Sequence, residues 1–251
     1  MITIVGAGPA GSYLGCLLAK QGQEVTILEE HDAIGQPVQC TGIVTHSIEN
    51  FFKLKNEVIA KKLNKVVVVS KNNNVSVDVD EIVMWRSKFD QFVAEMAQDA
   101  GAKILLNNKF TGFDGENTIT VRDKKNNKTR KIRTDIIVGA DGPYSAVAKL
   151  AGIDSNSKNY IGMQAKVKLS MDTTSFETYF GRDFPDFFGW CVPESEHVAR
   201  LGIGCFEKAQ EHFYKFLKSR TGKKDVLCWE SGLIPLHNPK KIIQKGNVYL
   251  I

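Results

Sequence analysis

The chain has 251 residues, 43% of them hydrophobic and 24% charged, with a net charge of +5. That length and apolar content exclude a disordered chain and suit a large single domain or a core domain with a smaller companion. The 33 basic residues are scattered, apart from Lys124-Lys125 and residues 128–133, so charge gives no reason to expect a nucleic-acid partner.

The chain opens on Ile2 to Val5, a β-branched run that reads as a buried strand. Gly6-Ala7-Gly8-Pro9-Ala10-Gly11 follows, a G-x-G-x-x-G, and then a helix over residues 12–21 stopped by Gly22. A second strand, residues 24–28, ends at Glu29. Strand, glycine loop, helix, strand and acid form the unit of a dinucleotide site. Gly6 suits the turn, Gly8 the approach of a pyrophosphate, and Gly11 the packing of helix on strand. The helix N-terminus offers free N–H groups to phosphate, and Ala10 of the adjoining loop is a candidate cofactor contact. Glu29, with Glu30 beside it, fits an unphosphorylated ribose, as in FAD or NAD.

Residues 30–37 read as a loop, and residues 46–54 as a short helix. Residues 65–70 and 75–79 flank Asn72-Asn73-Asn74 as a hairpin. Residues 86–100 read as a helix with Phe89, Phe92, Val93, Met96 and Ala97 on one face. A strand over 103–106 precedes a small antiparallel set over 109–113, 118–122 and 129–133. Ile136 to Gly142 is a buried strand running into a turn, followed by a short helix to Leu150. Strands are then expected over 164–169, 175–180, 187–192 and 199–205, a helix over 207–220, and strands over 229–236 and 248–251. Parallel α/β followed by a mainly antiparallel sheet implies a nucleotide domain carrying a second domain. Cys16, Cys40, Cys191, Cys205 and Cys228 show no C-x-x-C pair, and the five histidines show no metal-ligand spacing, so no metal is expected. The first strand begins at once and no apolar run reaches membrane-spanning length, so a cytoplasmic, reduced protein is expected.

Four stretches together resemble the flavoproteins of the para-hydroxybenzoate hydroxylase fold, and within them the geranylgeranyl reductase family. The first is Gly6 to Gly11 with Glu29. The second, Arg86-Ser87-Lys88-Phe89-Asp90, is similar to that family's R-x-x-F-D, whose arginine lies near the cofactor. The third, Gly139-Ala140-Asp141-Gly142-Pro143, resembles the motif beside the FAD pyrophosphate and ribityl chain. The fourth is a pair. Gly35 to Gly42 resembles a G-x-P-V-x-C-x-G loop near the flavin ring, which implies cofactor contacts from Cys40, Thr41 and Gly42. Pro185-x-x-Phe188-x-Trp190-x-Val192-Pro193 resembles a substrate-lining P-x-x-Y-x-W-x-F-P, with Phe188 in place of tyrosine and Val192 in place of phenylalanine. Phe187, Phe188, Trp190, Val192 and Pro193 are thus the expected substrate residues, although aromatics at strand spacing also suit a plain sheet core. Cys40 is the candidate catalytic residue; packing as a small hydrophobe is the alternative.

The resemblance implies a Rossmann-like α/β FAD-binding domain, residues 1–65, 81–155 and 246–251, with a mainly antiparallel substrate domain, residues 66–80 and 156–245. It implies FAD as cofactor and reduction of isoprenoid C=C bonds in a prenyl lipid or prenyl diphosphate. NAD(P)H, ferredoxin and a deazaflavin stand open as electron donor. A monomer with peripheral membrane contact is expected. The competing expectation is an aromatic monooxygenase, against which Ala148 counts, because many relatives carry arginine there. Residues 245–251 resemble the strand that leads to a third FAD motif, Gly-Asp, one residue beyond Ile251. The expectation is therefore an N-terminal portion of a longer family member, either non-catalytic or weak in FAD binding on its own.

Overall fold

The apolar runs at the start of the chain become the centre of a parallel sheet. The computed structural model describes all residues except 154–157, 223–225, 237, 240 and 241. It divides into two compact units, the first made of Met1–Gln36, Ser87–Ser157 and His237–Ile251. Its six-stranded sheet has the order Gln244–Lys245, Val248–Leu250, Ile136–Gly139, Ile2–Val5, Val25–Leu28, Lys103–Leu105. All pairs are parallel except the first. Ile2–Val5 and Val25–Leu28 are buried at every position, which is why they read as continuous rather than alternating runs. Cys16 and Ala19 of helix Pro9–Lys20 and Ala97 of helix Arg86–Asp99 join Ile4 and Ile27 in one core. The first helix starts at Pro9 rather than Ser12, since proline's fixed φ and missing N–H suit a first turn. A three-stranded antiparallel sheet, Asn108–Phe113, Thr118–Asp123 and Lys128–Arg133, packs Phe110, Ile119 and Val121 with Val147 and Ala148.

The second unit comprises Pro37–Arg86 and Lys158–Leu236. Its eight strands run Val226–Pro235, Asn159–Lys168, Val198–Cys205, Phe184–Ser195, Ser175–Gly181, Ile59–Val69, Asn74–Met84, Ile43–Thr45. Neighbours are antiparallel except Ile59–Val69 with Ser175–Gly181. Strand alternation gives the sheet two unlike faces. Ala165, Val167, Leu201 and Ile203 pack with Phe213, Phe216 and Leu217 of helix Ala209–Thr221. Gln164, Trp190, Val192 and Arg200 belong to the other face, where the register sets Gln164 and Trp190 on either side of Gly202, and Val192 beside Arg200.

The boundaries differ from the sequence expectation. Residues 37–65 and 81–86 belong to the second unit, not the first. Pairing is the reason: Ile43–Thr45 and Ile59–Val69 both hydrogen-bond to Asn74–Met84, so they complete the second sheet. Residues 242–245 return to the first unit, because Gln244–Lys245 pairs with Val248–Leu250. The expected boundary at 155/156 lies outside the described residues. Among the described residues no helix is long and apolar enough to cross a membrane.

Candidate functional site

The glycine loop of the first unit separates into two kinds of position. Gly6 has φ +105°, and a Cβ there would overlap the carbonyl oxygen of Ala140 and lie 2.8 Å from its carbon. At Gly11 a Cβ would overlap the Gly6 carbonyl oxygen. These two glycines let strand, helix and the Ala140-Asp141 turn close on one another. Gly8 has ordinary extended backbone and nothing within 4 Å of its Cβ position, so the space above it is open. It is also the N-cap of a 12-residue helix, with Pro9 next and Ala10 after it. A cradle that only a missing side chain keeps free, at a helix N-terminus, fits a dinucleotide pyrophosphate.

The acids around the cradle behave differently from one another. Asp141 accepts the Val147 N–H at 3.1 Å through Oδ2, while its buried Oδ1 has no partner among the described residues. Gly142 follows at φ +75°. Glu29 accepts the N–H groups of Ala7 and His31, both at 3.0 Å, and stands 2.7 Å from His31 Nδ1. It therefore shapes the glycine loop, with part of its acceptor capacity left for a ribose. Glu30 is committed to Lys109 at 2.8 Å, whose hydrogen bond holds its carboxyl below the usual range.

The second unit contains a cavity of about 420 Å³. Cys40, Thr41 and Gly42 line it together with Phe187, Phe188, Trp190 and Val192, two groups far apart in sequence. Gln39, Gln164, Phe176, Thr178, Ser231 and Ile234 complete much of the wall. Two glycines make the room: a Cβ on Gly202 would overlap the Trp190 indole, and one on Gly204 would lie 2.7 Å from Phe187 Cδ1. Asp186, with φ +70°, lies within the strand Phe184–Ser195 just before Phe187 and Phe188, whose rings stack 4.2 Å apart. Trp190 and Val192 also form a small core with Leu63 and Val83, so lining and packing are two sides of the same residues. Pro193 is a correction: it is absent from the cavity wall. Alternation turns it to the opposite face from Val192, and its missing N–H accompanies a register shift in the strand pairing. Arg86 packs beside the loop, its Cγ 3.2 Å from where a Gly42 Cβ would be.

Sequence reasoning missed a buried polar network against this wall. Gln164 Oε1 accepts the Trp190 indole N–H at 3.1 Å and the Thr41 hydroxyl at 3.3 Å. Its amide nitrogen donates to Glu230. Arg200 donates to the Cys40 carbonyl at 2.7 Å and to Glu194 at 3.2 Å, and Lys166 reaches Glu194 at 2.8 Å. Burial pushes the Glu230 carboxyl up, outweighing the opposing pull of Arg200 and the Gln164 hydrogen bond. Polar residues alternating with apolar ones, as in Gln164-Ala165-Lys166-Val167, carry the same signal as a solvent-facing strand.

The FAD binding domain family model matches residues 1–225. Digeranylgeranylglycerophospholipid reductase 1 of Methanococcoides burtonii is 28% identical over 98% of this chain and 65% of its own length. The chloroplastic geranylgeranyl diphosphate reductase of Nicotiana tabacum is 31% identical over 81% of this chain and 48% of its own. The crystal structure of a geranylgeranyl bacteriochlorophyll reductase-like protein from Thermoplasma acidophilum superposes with a TM-score of 0.91 at 22% identity, covering 100% of this chain and 70% of that one. The chain spans less than two thirds of the length of the first curated relatives it matches. By that match over most of its length, the chain belongs to the FAD-binding-domain family of flavoproteins.

Proposed function

We propose that the chain contributes the cofactor cradle and substrate cavity of a flavin-dependent reductase that saturates C=C bonds in isoprenoid chains of prenyl lipids or prenyl diphosphates. The observation that carries this reading is the cavity: an apolar hollow in which the Cys40 loop meets the Phe187–Val192 segment. Its size and lining suit a greasy chain that needs few polar contacts. The named similarity of the relatives to geranylgeranyl reductases supports the same substrate class.

FAD, when bound and reduced, supplies the hydride. The chain's own residues do the rest. The open backbone at Gly8 and the first-turn N–H groups receive phosphate, and the free Oδ1 of Asp141 offers an acceptor to a hydroxyl. Phe176, Phe187, Phe188 and Trp190 exclude water and hold an extended hydrocarbon against the wall. Cys40 carries the one thiol among the lining side chains, and its Sγ gives a proton to the alkene carbon that does not receive hydride.

A second surface supports peripheral membrane contact. Tyr214, Lys215, Leu217, Lys218, Val226 and Trp229 line a groove of about 460 Å³, with Tyr214 and Trp229 about half exposed. Amphipathic rings beside lysines suit the headgroup level of an anionic bilayer. Co-sedimentation with anionic but not neutral vesicles is expected.

The reductase reading is tested by incubating the protein anaerobically with FAD, dithionite and a geranylgeranylated lipid, then measuring product mass. Gain of hydrogens in pairs is expected. Bound flavin with unchanged lipid would overturn the reading.

A further inference from the structure

Residues 37–42 have no regular secondary structure, yet they carry Cys40 into the wall of the cavity. Two consecutive residues of this stretch are held by buried side chains of the sheet. Arg200 donates to the Cys40 carbonyl at 2.7 Å, and the Thr41 hydroxyl donates to Gln164 Oε1 at 3.3 Å. Arg200 is 7% exposed and Gln164 4%. Trp190 Nε1 can only donate, so Gln164 must turn its oxygen toward Trp190 and Thr41 and its nitrogen toward Glu230. Glu194, 3.2 Å from Arg200 and 2.8 Å from Lys166, fixes the guanidinium from the far side.

A buried ionic cluster is a poor device for stability alone, because apolar residues of equal volume serve at least as well. Specificity of placement is what it can add. We propose that Arg200 and Gln164 are positioning residues that clamp Cys40-Thr41 in one place on the cavity wall. The clamp fixes where Cys40 Sγ stands relative to a bound chain, and so which C=C bond it serves; this last step rests on the reductase reading.

The test uses the full chain carrying Cys228→Ser, which leaves Cys40 as the one exposed cysteine, since Cys16, Cys191 and Cys205 are buried. A nitroxide spin label on Cys40 reports how ordered the stretch is. Thr41→Val removes one neutral hydrogen bond and Arg200→Met removes a charge-assisted one. The ratio of mobile to ordered label is expected to rise about fivefold for the first and about tenfold or more for the second. Thr41→Ser, which keeps the hydroxyl, should match the parent. Thr41 belongs to the irregular stretch rather than the sheet, so Thr41→Val remains informative even if Arg200→Met fails to fold. In unlabelled protein, Thr41→Val should lower kcat for lipid reduction with KM nearly constant, and scatter which bonds are reduced. A label as ordered in Thr41→Val as in the parent would overturn the clamp. So would a mobile label with unchanged kcat and product pattern. A flavin-loaded parent that leaves the lipid unchanged would refute the reductase reading, and the label would still decide the clamp.

Discussion

Gly6 and Gly8, two residues apart, should respond oppositely to a side chain. Gly6→Ala forces alanine to φ +105° and drives its Cβ into the Ala140 carbonyl. Relief means parting two backbones joined by the hydrogen bond from Ala140 N to Val5 O at 2.8 Å. Backbone strain and overpacking together cost about 4 kcal/mol, or a fall of roughly 10 °C in Tm for a chain of this size. Gly8→Ser meets no atom within 4 Å, and serine is a good N-cap, so Tm should hold or rise slightly. The same Cβ and hydroxyl stand where the pyrophosphate must approach the backbone, so FAD affinity should fall about tenfold or more, the equivalent of about 1.4 kcal/mol. Thermal unfolding without flavin, and flavin-fluorescence titration of each variant, separate the two effects. Gly8→Ser with the parent's FAD affinity, or with the instability of Gly6→Ala, would refute the division of labour.

Three further outcomes are expected. Gly202→Ala pushes the Trp190 indole off its seat and also comes 2.6 Å from Gln164 Cβ; it should cost about 1–3 kcal/mol and lower the uptake of an apolar fluorophore by the cavity. Glu230 has a folded-state pKa above its ordinary 4.5, so its contribution to stability is fully present below that value and is lost as pH rises through the folded pKa. Glu230→Gln, neutral throughout, should therefore remove part of the decline in Tm that the parent shows as pH is raised above 4.5; an unchanged pH profile would contradict this. Burial pushes the Cys191 thiol up to about 12 and also raises Cys205, so native alkylation should modify Cys40 and Cys228 and spare the other three, as mass spectrometry would show.

What the sequence disclosed follows how local each feature is. The unit from Ile2 to Glu29 was legible because turn, helix stop and strand all lie within thirty residues. The three-stranded sheet over residues 108–133 was legible for the same reason. The domain boundary was not: Ile59–Val69 finds its parallel partner at Ser175–Gly181, more than a hundred residues on, and nothing near Lys61 or Lys62 announces that. Glu29 was read as a ribose ligand, yet its first work is to accept the N–H groups of Ala7 and His31. Gln164, Glu194, Arg200 and Glu230 were invisible as a group. Each sits at an alternate strand position where solvent is the usual neighbour, and only the tertiary fold buries them. Pro193 was drawn in by its neighbours in the motif, whereas strand parity excluded it.

The central claim is that this cavity presents isoprenoid double bonds for reduction with Cys40 as proton donor. The most direct test is anaerobic single-turnover reduction of a geranylgeranylated lipid by the FAD-loaded, dithionite-reduced protein, comparing the parent with Cys40→Ser at equal flavin occupancy. The account predicts lipid that gains hydrogens in pairs as flavin reoxidises, and a rate at least about tenfold lower in Cys40→Ser. Equal rates would remove Cys40 from the chemistry. Flavin that reoxidises only when oxygen and an aromatic compound are supplied, with the lipid unchanged, would contradict the account as a whole.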